Sequence, residues 1–267
     1  MKSRRGLALE QTGSLFSNEH AIRNKVPQVT LFFWLIKMMS TTVGETAADF
    51  LNFNLNWGLT NTTLVMSGLL LISLYVQVSA KKYVPALYWL AVVLISVVGT
   101  LISDNLADNL GVPLELSTVL FASALLVTFV VWYKSERTLS IHSITTRRRE
   151  AFYWLTILFT FALGTSAGDL VAESLNLGYF VSALIFAAVI GAVALAHYRF
   201  KLNAVTAFWL AYILTRPLGA SLGDYLSQPR SEGGLELGTT STSVTFVVII
   251  CGLVVYLTKT KKDQFVL

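Results

Sequence analysis

Apolar residues fall into eight runs, at residues 28–51, 59–78, 84–108, 113–133, 151–175, 178–197, 203–226 and 239–258, separated by short polar breaks. A helix rises about 1.5 Å per residue, so runs of this length can cross the ~30 Å hydrocarbon core of a bilayer. The pattern predicts an all-α integral membrane protein with eight transmembrane helices. The runs alternate in character. The odd-numbered ones end in acidic residues, whereas the even-numbered ones are more uniformly apolar after a first turn rich in hydroxyls (Thr62, Thr63, Ser117, Thr118, Ser182, Thr240, Thr242). Capping and helix-to-helix hydrogen bonding account for such hydroxyls; the other reading makes them extra oxygen ligands.

The odd runs are copies of one another. Run 5 reads WLTILFTFALGTSAGDLVAE, run 3 WLAVVLISVVGTLISDNLAD and run 7 WLAYILTRPLGASLGDYLSQ, each with a Trp-Leu pair fifteen residues before its first acid. Run 1, aligned on its second half IKMMSTTVGETAADFL, sets Glu45 against Asp104, Asp169 and Asp224, with Trp34 one turn closer than its counterparts. Four residues on come Asp49, Asp108, Glu173 and, as an exception, Gln228. Seven of the fifteen Asp and Glu residues then occupy two repeat positions, on one face of each helix. In the same register Lys37 and Arg216 share a position with Ser96 and Phe161, by helical rise about 12 Å deeper than the acids.

Small residues recur as pairs: Ser40 and Gly44, Gly99 and Ser103, Gly164 and Gly168, Gly219 and Gly223. Spacings of this kind let helix backbones approach closely in lipid. Each odd helix is therefore expected to have a packing face and a polar face. A glycine follows each in a short turn (Gly58, Gly111, Gly178, Gly238), and Pro217 is expected to kink or break the seventh helix. Two-helix units preserve direction. The reading is four parallel repeats with pseudo-symmetry about the membrane normal. It divides the chain into a tail (1–27), repeats 1 and 2 (28–133), a basic linker (134–150), repeats 3 and 4 (151–258) and a second tail (259–267).

Charge sharpens the topology. The chain carries 20 Lys and Arg against 15 Asp and Glu, yet only 13% of residues are charged, about half the share of a soluble domain. Of the basic residues 17 fall in the tails and the 2–3, 4–5 and 6–7 connections; Arg230 alone lies in a connection on the other side. The positive-inside rule makes the basic side cytoplasmic, with both termini there. The excess of positive charge is then topological, and nucleic acid is not an expected partner; the lipid bilayer is. No early apolar core suggests a cleavable signal. Cys251 is the single cysteine, and His20, His142 and His197 are scattered, so neither a disulfide framework nor an imidazole or thiolate metal site is expected.

Charges within hydrocarbon cost several kcal/mol and are rarely kept without use. If the odd helices surround one axis, Glu45, Asp49, Asp104, Asp108, Asp169, Glu173 and Asp224 converge, and such a group would hold a cation or take up protons. Oxygen ligands without His or Cys favour Mg²⁺, Mn²⁺ or Ca²⁺. Lys37 and Arg216 would serve as a gate or tethered counter-charge, and Gly44, Gly99, Gly164, Gly168, Gly219 and Gly223 as helix-packing positions. Met38 and Met39 are read as apolar packing rather than soft ligands.

Taken fourfold, the motifs TTVGETAAD, GTLISDNLAD, GTSAGDLVAE and GASLGDYLSQ resemble a bacterial family of membrane-anchored proteins built from a repeat of unknown function. The resemblance covers about residues 28–258 and implies a multi-pass protein of the bacterial inner membrane. The expected function is secondary transport of a divalent cation such as Mn²⁺ or Mg²⁺, in the export direction and coupled to protons, with no resident cofactor. No nucleotide-binding motif supports direct ATP drive. The alternatives are a carrier or channel for an organic ion or anion using Lys37 and Arg216, and a structural protein recruiting a partner through KSERTLSIHSITTRRRE. An assembly of several copies is compatible with either. An intramembrane aspartyl protease is disfavoured, because the acids recur fourfold and the first glycine of that motif is missing; the chain is not expected to be an enzyme.

Overall fold

The computed structural model describes residues 24–264. The amino-terminal tail with Lys2, Arg4, Arg5, His20 and Arg23, and with it the expectation about a signal, lies outside the described residues, as do residues 265–267. The described chain is all-helical, with no strand. Its eight long helices are α1 (Leu31–Asp49), α2 (Leu59–Ser79), α3 (Pro85–Asp104), α4 (Leu114–Glu136), α5 (Arg147–Asp169), α6 (Tyr179–Phe200), α7 (Ala204–Ser227) and α8 (Thr239–Thr260). Six of them, α2 to α6 and α8, are long and apolar enough to cross a membrane, as a multi-pass membrane protein requires. The exceptions, α1 and α7, contain Lys37 and Arg216, and other helices shield these charges.

The helices form two layers. α1 packs on α3 and α7, and α5 closes the ring by packing on the same two. Outside that ring α2 covers α3, α4 covers α5, α6 covers α7 and α8 covers α1. Each outer helix thus packs on the inner helix of the next repeat rather than on its own. The last returns to the first, so the chain closes on itself. The hydrophobic pattern explains which helices go where. Inner helices need one face for packing and one for polar contacts, whereas outer helices can be apolar all round and expose Leu64, Leu71, Leu126, Leu184 and Val248.

Glycine sets the inner ring's spacing. A methyl group on Gly44 would collide with Ser96, on Gly99 with Phe161, on Gly164 with the Arg216 side chain and on Gly219 with Thr41. Each glycine therefore receives a side chain from the next inner helix. Gly168 and Gly223 are looser, with neighbours at 3.7 Å and 3.3 Å from the position a Cβ would take.

Three inner helices end in a π-helical turn: Phe50–Asn54, Asn105–Asn109 and Leu170–Ser174. Each closes by an i→i+5 bond, Leu55 N–H to Phe50 O, Leu110 N–H to Asn105 O and Leu175 N–H to Leu170 O, at 3.0–3.1 Å. α7 differs, because Pro229 follows Gln228 and has no N–H to continue a ladder. Gly58, Gly111, Gly178 and Gly238 then reverse the chain with φ of +66° to +79°, which a side chain would strain. Pro217, by contrast, neither ends nor divides its helix: α7 runs unbroken through it.

The end of the ring opposite the π-turns is packed with aromatics. Phe33, Tyr88, Tyr153 and Phe208 hold one repeat position and the adjoining tryptophans the next. Their rings interlock between helices, Phe33 against Trp89 and Phe208, Tyr88 against Trp154, and Tyr153 against Trp209. The connection between α4 and α5 folds over this end instead of lying solvated: Ile141 and Ile144 are buried, and Leu139 O accepts from Trp209 Nε1 at 2.9 Å. Three apolar residues in an otherwise polar stretch, Leu139, Ile141 and Ile144, drive this contact. The described parts of both tails join it. Lys25 Nζ donates to Glu150 Oε2 and to Val78 O, each at 2.8 Å, and Tyr83 donates to Asp263 Oδ2 at 2.5 Å.

Candidate functional site

A cavity of about 550 Å³ opens at the π-turn end of the ring. Its lining includes all of Glu45, Asp49, Asp104, Asp108, Asp169, Glu173 and Asp224. These come from all four inner helices, because the ring points the same face of each helix at the axis. Gln228 lines it too, and its amide donates to Asp49 Oδ2 at 3.1 Å. Three further residues, Asn52, Tyr179 and Glu232, complete the polar wall, and Tyr179 donates to Glu173 Oε1 at 3.4 Å. Among the described residues no three His, Cys, Asp or Glu side chains stand close enough together to hold a metal ion. The acids line a vestibule rather than a cage.

Below the vestibule sits Arg216, fully buried. Its Nη2 donates to Glu45 Oε2 at 2.8 Å, to Thr165 Oγ1 at 2.6 Å and to Thr100 Oγ1, while Nη1 donates to Thr41 O at 3.4 Å. One guanidinium thus ties the other three inner helices to α7. Lys37, also fully buried, makes no ion pair among the described residues. Its Nζ donates to Tyr212 O at 3.3 Å and lies 4.4 Å and 4.8 Å from the ring centres of Tyr212 and Phe161. That is a cation–π environment.

This geometry corrects the register of repeat 1. The π-turn begins directly after Asp49, Asp104 and Asp169, and the glycines in equivalent contacts are Gly44, Gly99, Gly164 and Gly219. Asp49, not Glu45, is the partner of Asp104, Asp169 and Asp224, and Trp34 then stands fifteen residues before its acid like the other three tryptophans. Glu45 falls one turn deeper, at the position of Thr100, Thr165 and Ala220. Lys37 and Arg216 part company: Arg216 matches Thr41, and Lys37 matches Tyr212. Aligning run 1 on its doubled acids caused the slip, because acids four apart look the same when displaced by one turn.

The comparison with protein families uses the same register. A family described as a repeat of unknown function (DUF347) matches residues 32–83, 87–138, 152–203 and 207–263, most of the chain. The chain belongs to this family. The four matched segments begin two residues before Trp34, Trp89, Trp154 and Trp209 and so bring the four aspartates into one column of the DUF347 repeat. No curated protein and no solved structure matches the chain.

Two groups of residues escaped the sequence reading. Thr100 and Thr165, which bind Arg216, stand immediately after the repeat glycine, and the corrected register would have drawn attention to Glu45 in their column. Tyr179, Asn52 and Glu232 come from turns and an outer helix, where no repeat pattern marks them. Three of the first-turn hydroxyls serve their own helices, Thr63, Ser182 and Thr242 donating to Leu59 O, Gly178 O and Gly238 O, whereas those of Thr62, Ser117 and Thr118 are buried with no hydrogen-bond partner among the described residues. Met38 lies against a separate apolar crevice, and Met39 packs on the core.

Proposed function

We propose that this DUF347 protein is a bacterial inner-membrane carrier that exports a divalent cation, Mn²⁺ or Mg²⁺, in exchange for protons, with both chain ends in the cytoplasm. In this reading the four repeats stand around an axis along the membrane normal and the vestibule faces outward. One observation carries the proposal: eight carboxylates line one cavity, and a single buried arginine is paired with just one of them. A cation lowers the mutual repulsion of such a group more than any arrangement of the side chains can. The volume of the vestibule, about 550 Å³, leaves room for an ion that keeps part of its water, as Mg²⁺ does when one or two carboxylates bind it. Arg216 acts as the resident counter-charge on Glu45. A cation descending from the vestibule exchanges with the guanidinium there.

Metal content and tolerance of cells with and without the protein test the reading. Cells carrying it should hold less Mn²⁺ and grow at higher Mn²⁺. Asp104→Asn together with Asp169→Asn should erase both differences, and unchanged accumulation in that variant would sink the carboxylate site.

A further inference from the structure

The closed half of the ring, between Arg216 and the aromatic end, holds a series of buried hydroxyls and one amine that the cation site does not use. At the tail end Tyr83 donates to Asp263 Oδ2 at 2.5 Å, and its ring meets Tyr88 at 5.8 Å, edge to face. The hydroxyls of Tyr88 and Tyr153 are 2.5 Å apart, and both residues are fully buried. Next comes Tyr212, whose buried hydroxyl has no hydrogen-bond partner among the described residues and whose ring and carbonyl hold the Lys37 ammonium. One turn nearer the acids, by the corrected register, stands Ser96, again buried with its hydroxyl unpartnered. Thr100, one turn further on the same helix, accepts from Arg216 in the layer that holds Glu45.

We propose that this tyrosine–lysine column conducts protons between the tail end and the vestibule acids; it rests on the cation-exchange reading above, for which it supplies the path of the counter-ion. Fully buried aromatic side chains leave no room for a hydrated metal ion. A proton needs only hydroxyls and an amine in sequence, and a tyrosine hydroxyl both donates and accepts. Each hydroxyl passes on one proton as it receives one. Lys37 gives a proton toward the acids, becomes an amine, and is recharged from the tyrosine side, so the column ends unchanged with one proton carried across. The groups facing Lys37 fit that cycle. α5 presents Phe161, α7 presents Tyr212 and Arg216, and α8 has no titratable residue from Thr239 to Ile250. No carboxylate pairs with the ammonium among the described residues.

The test uses the full chain in liposomes, with a pH dye trapped inside and Mn²⁺ followed separately by isotope exchange. Tyr153→Phe and Tyr212→Phe keep the rings and remove the hydroxyls. Each should cut Mn²⁺-driven proton flux by at least about tenfold, in line with the loss of a positioned proton-transfer group, while Mn²⁺-for-Mn²⁺ exchange continues at the wild-type rate. Lys37→Gln should do the same, and the two Phe variants stand in for it should it fail to fold. Proton flux at the wild-type rate in both Phe variants overturns the column. Should the wild-type protein move no metal, the cation reading fails alone. Proton uptake driven by a potassium diffusion potential then decides: a rate lowered by Tyr153→Phe retains the column, and an equal rate overturns it.

Discussion

Arg216 and Glu45 lie 171 positions apart in the chain, yet the guanidinium donates to the carboxylate at 2.8 Å with both side chains buried. The pair closes the ring between its last inner helix and its first. It also stands at the floor of the vestibule, and in the cation-exchange proposal it sets how the acids above meet a cation. Arg216→Gln releases Glu45, so Mn²⁺ affinity measured by titration calorimetry should rise by about tenfold, or about 1.4 kcal/mol. Glu45→Gln should lower it, and the double variant should fall between the two. Equal affinities in all four proteins would separate this pair from the cation site.

Glycines that look alike in sequence should differ in tolerance. At Gly164 an added methyl meets the Arg216 side chain and the Pro217 ring, whereas at Gly168 the nearest atoms are at ordinary contact distance. Overpacking of this kind costs about 1–3 kcal/mol. Thermal unfolding in detergent should therefore show Gly164→Ala melting several degrees below wild type and Gly168→Ala close to it. Similar melting points for the two would contradict the close approach of α5 and α7.

Lys25 and Glu150 form a buried ion pair that Gln77 and Val78 O complete. Removing one partner leaves an uncompensated charge, at a cost of about 3–5 kcal/mol. Lys25→Ala should show that loss in denaturant unfolding. Lys25→Ala with Glu150→Leu should recover most of it, because the orphaned carboxylate is gone.

Asp263, beyond the end of α8, has its carboxyl pushed above the ordinary aspartate range by burial, against the Tyr83 hydrogen bond that partly offsets it. The folded protein then binds this proton more tightly than the unfolded chain. The group's contribution is full below the unfolded value, about 3.9, and is lost as pH rises through the raised folded value. Unfolding followed from pH 4 to pH 8 should show stability falling across that window, and Asp263→Asn should flatten the slope. A slope unchanged in that variant would assign the pH dependence to other groups.

Much of the architecture was legible in the residues because hydrophobic length and repetition are local properties. The eight helices, their turn glycines and the pairing of small positions follow from apolar runs and a recurring motif. The convergence of the acids needed more. An acid at one repeat position says which face of a helix it occupies, and only ring closure turns four such faces toward one axis. The register of repeat 1 failed for a related reason. Glu45 and Asp49 are interchangeable as letters four apart, whereas the π-turn after Asp49 and the close approach of Gly44 to Ser96 distinguish them in space.

By itself the sequence determined an all-helical chain of four two-helix repeats, with acids gathered at one end of the inner helices. Tertiary structure alone decided that each outer helix covers the next repeat, that Arg216 rather than Lys37 meets Glu45, and that Lys37 rests among aromatic rings. The physical reason is range. Periodicity and propensity act over one or two helical turns, but the ion pair, the cation–π contacts and the cavity join side chains from different repeats, and which of them meet depends on how the ring closes.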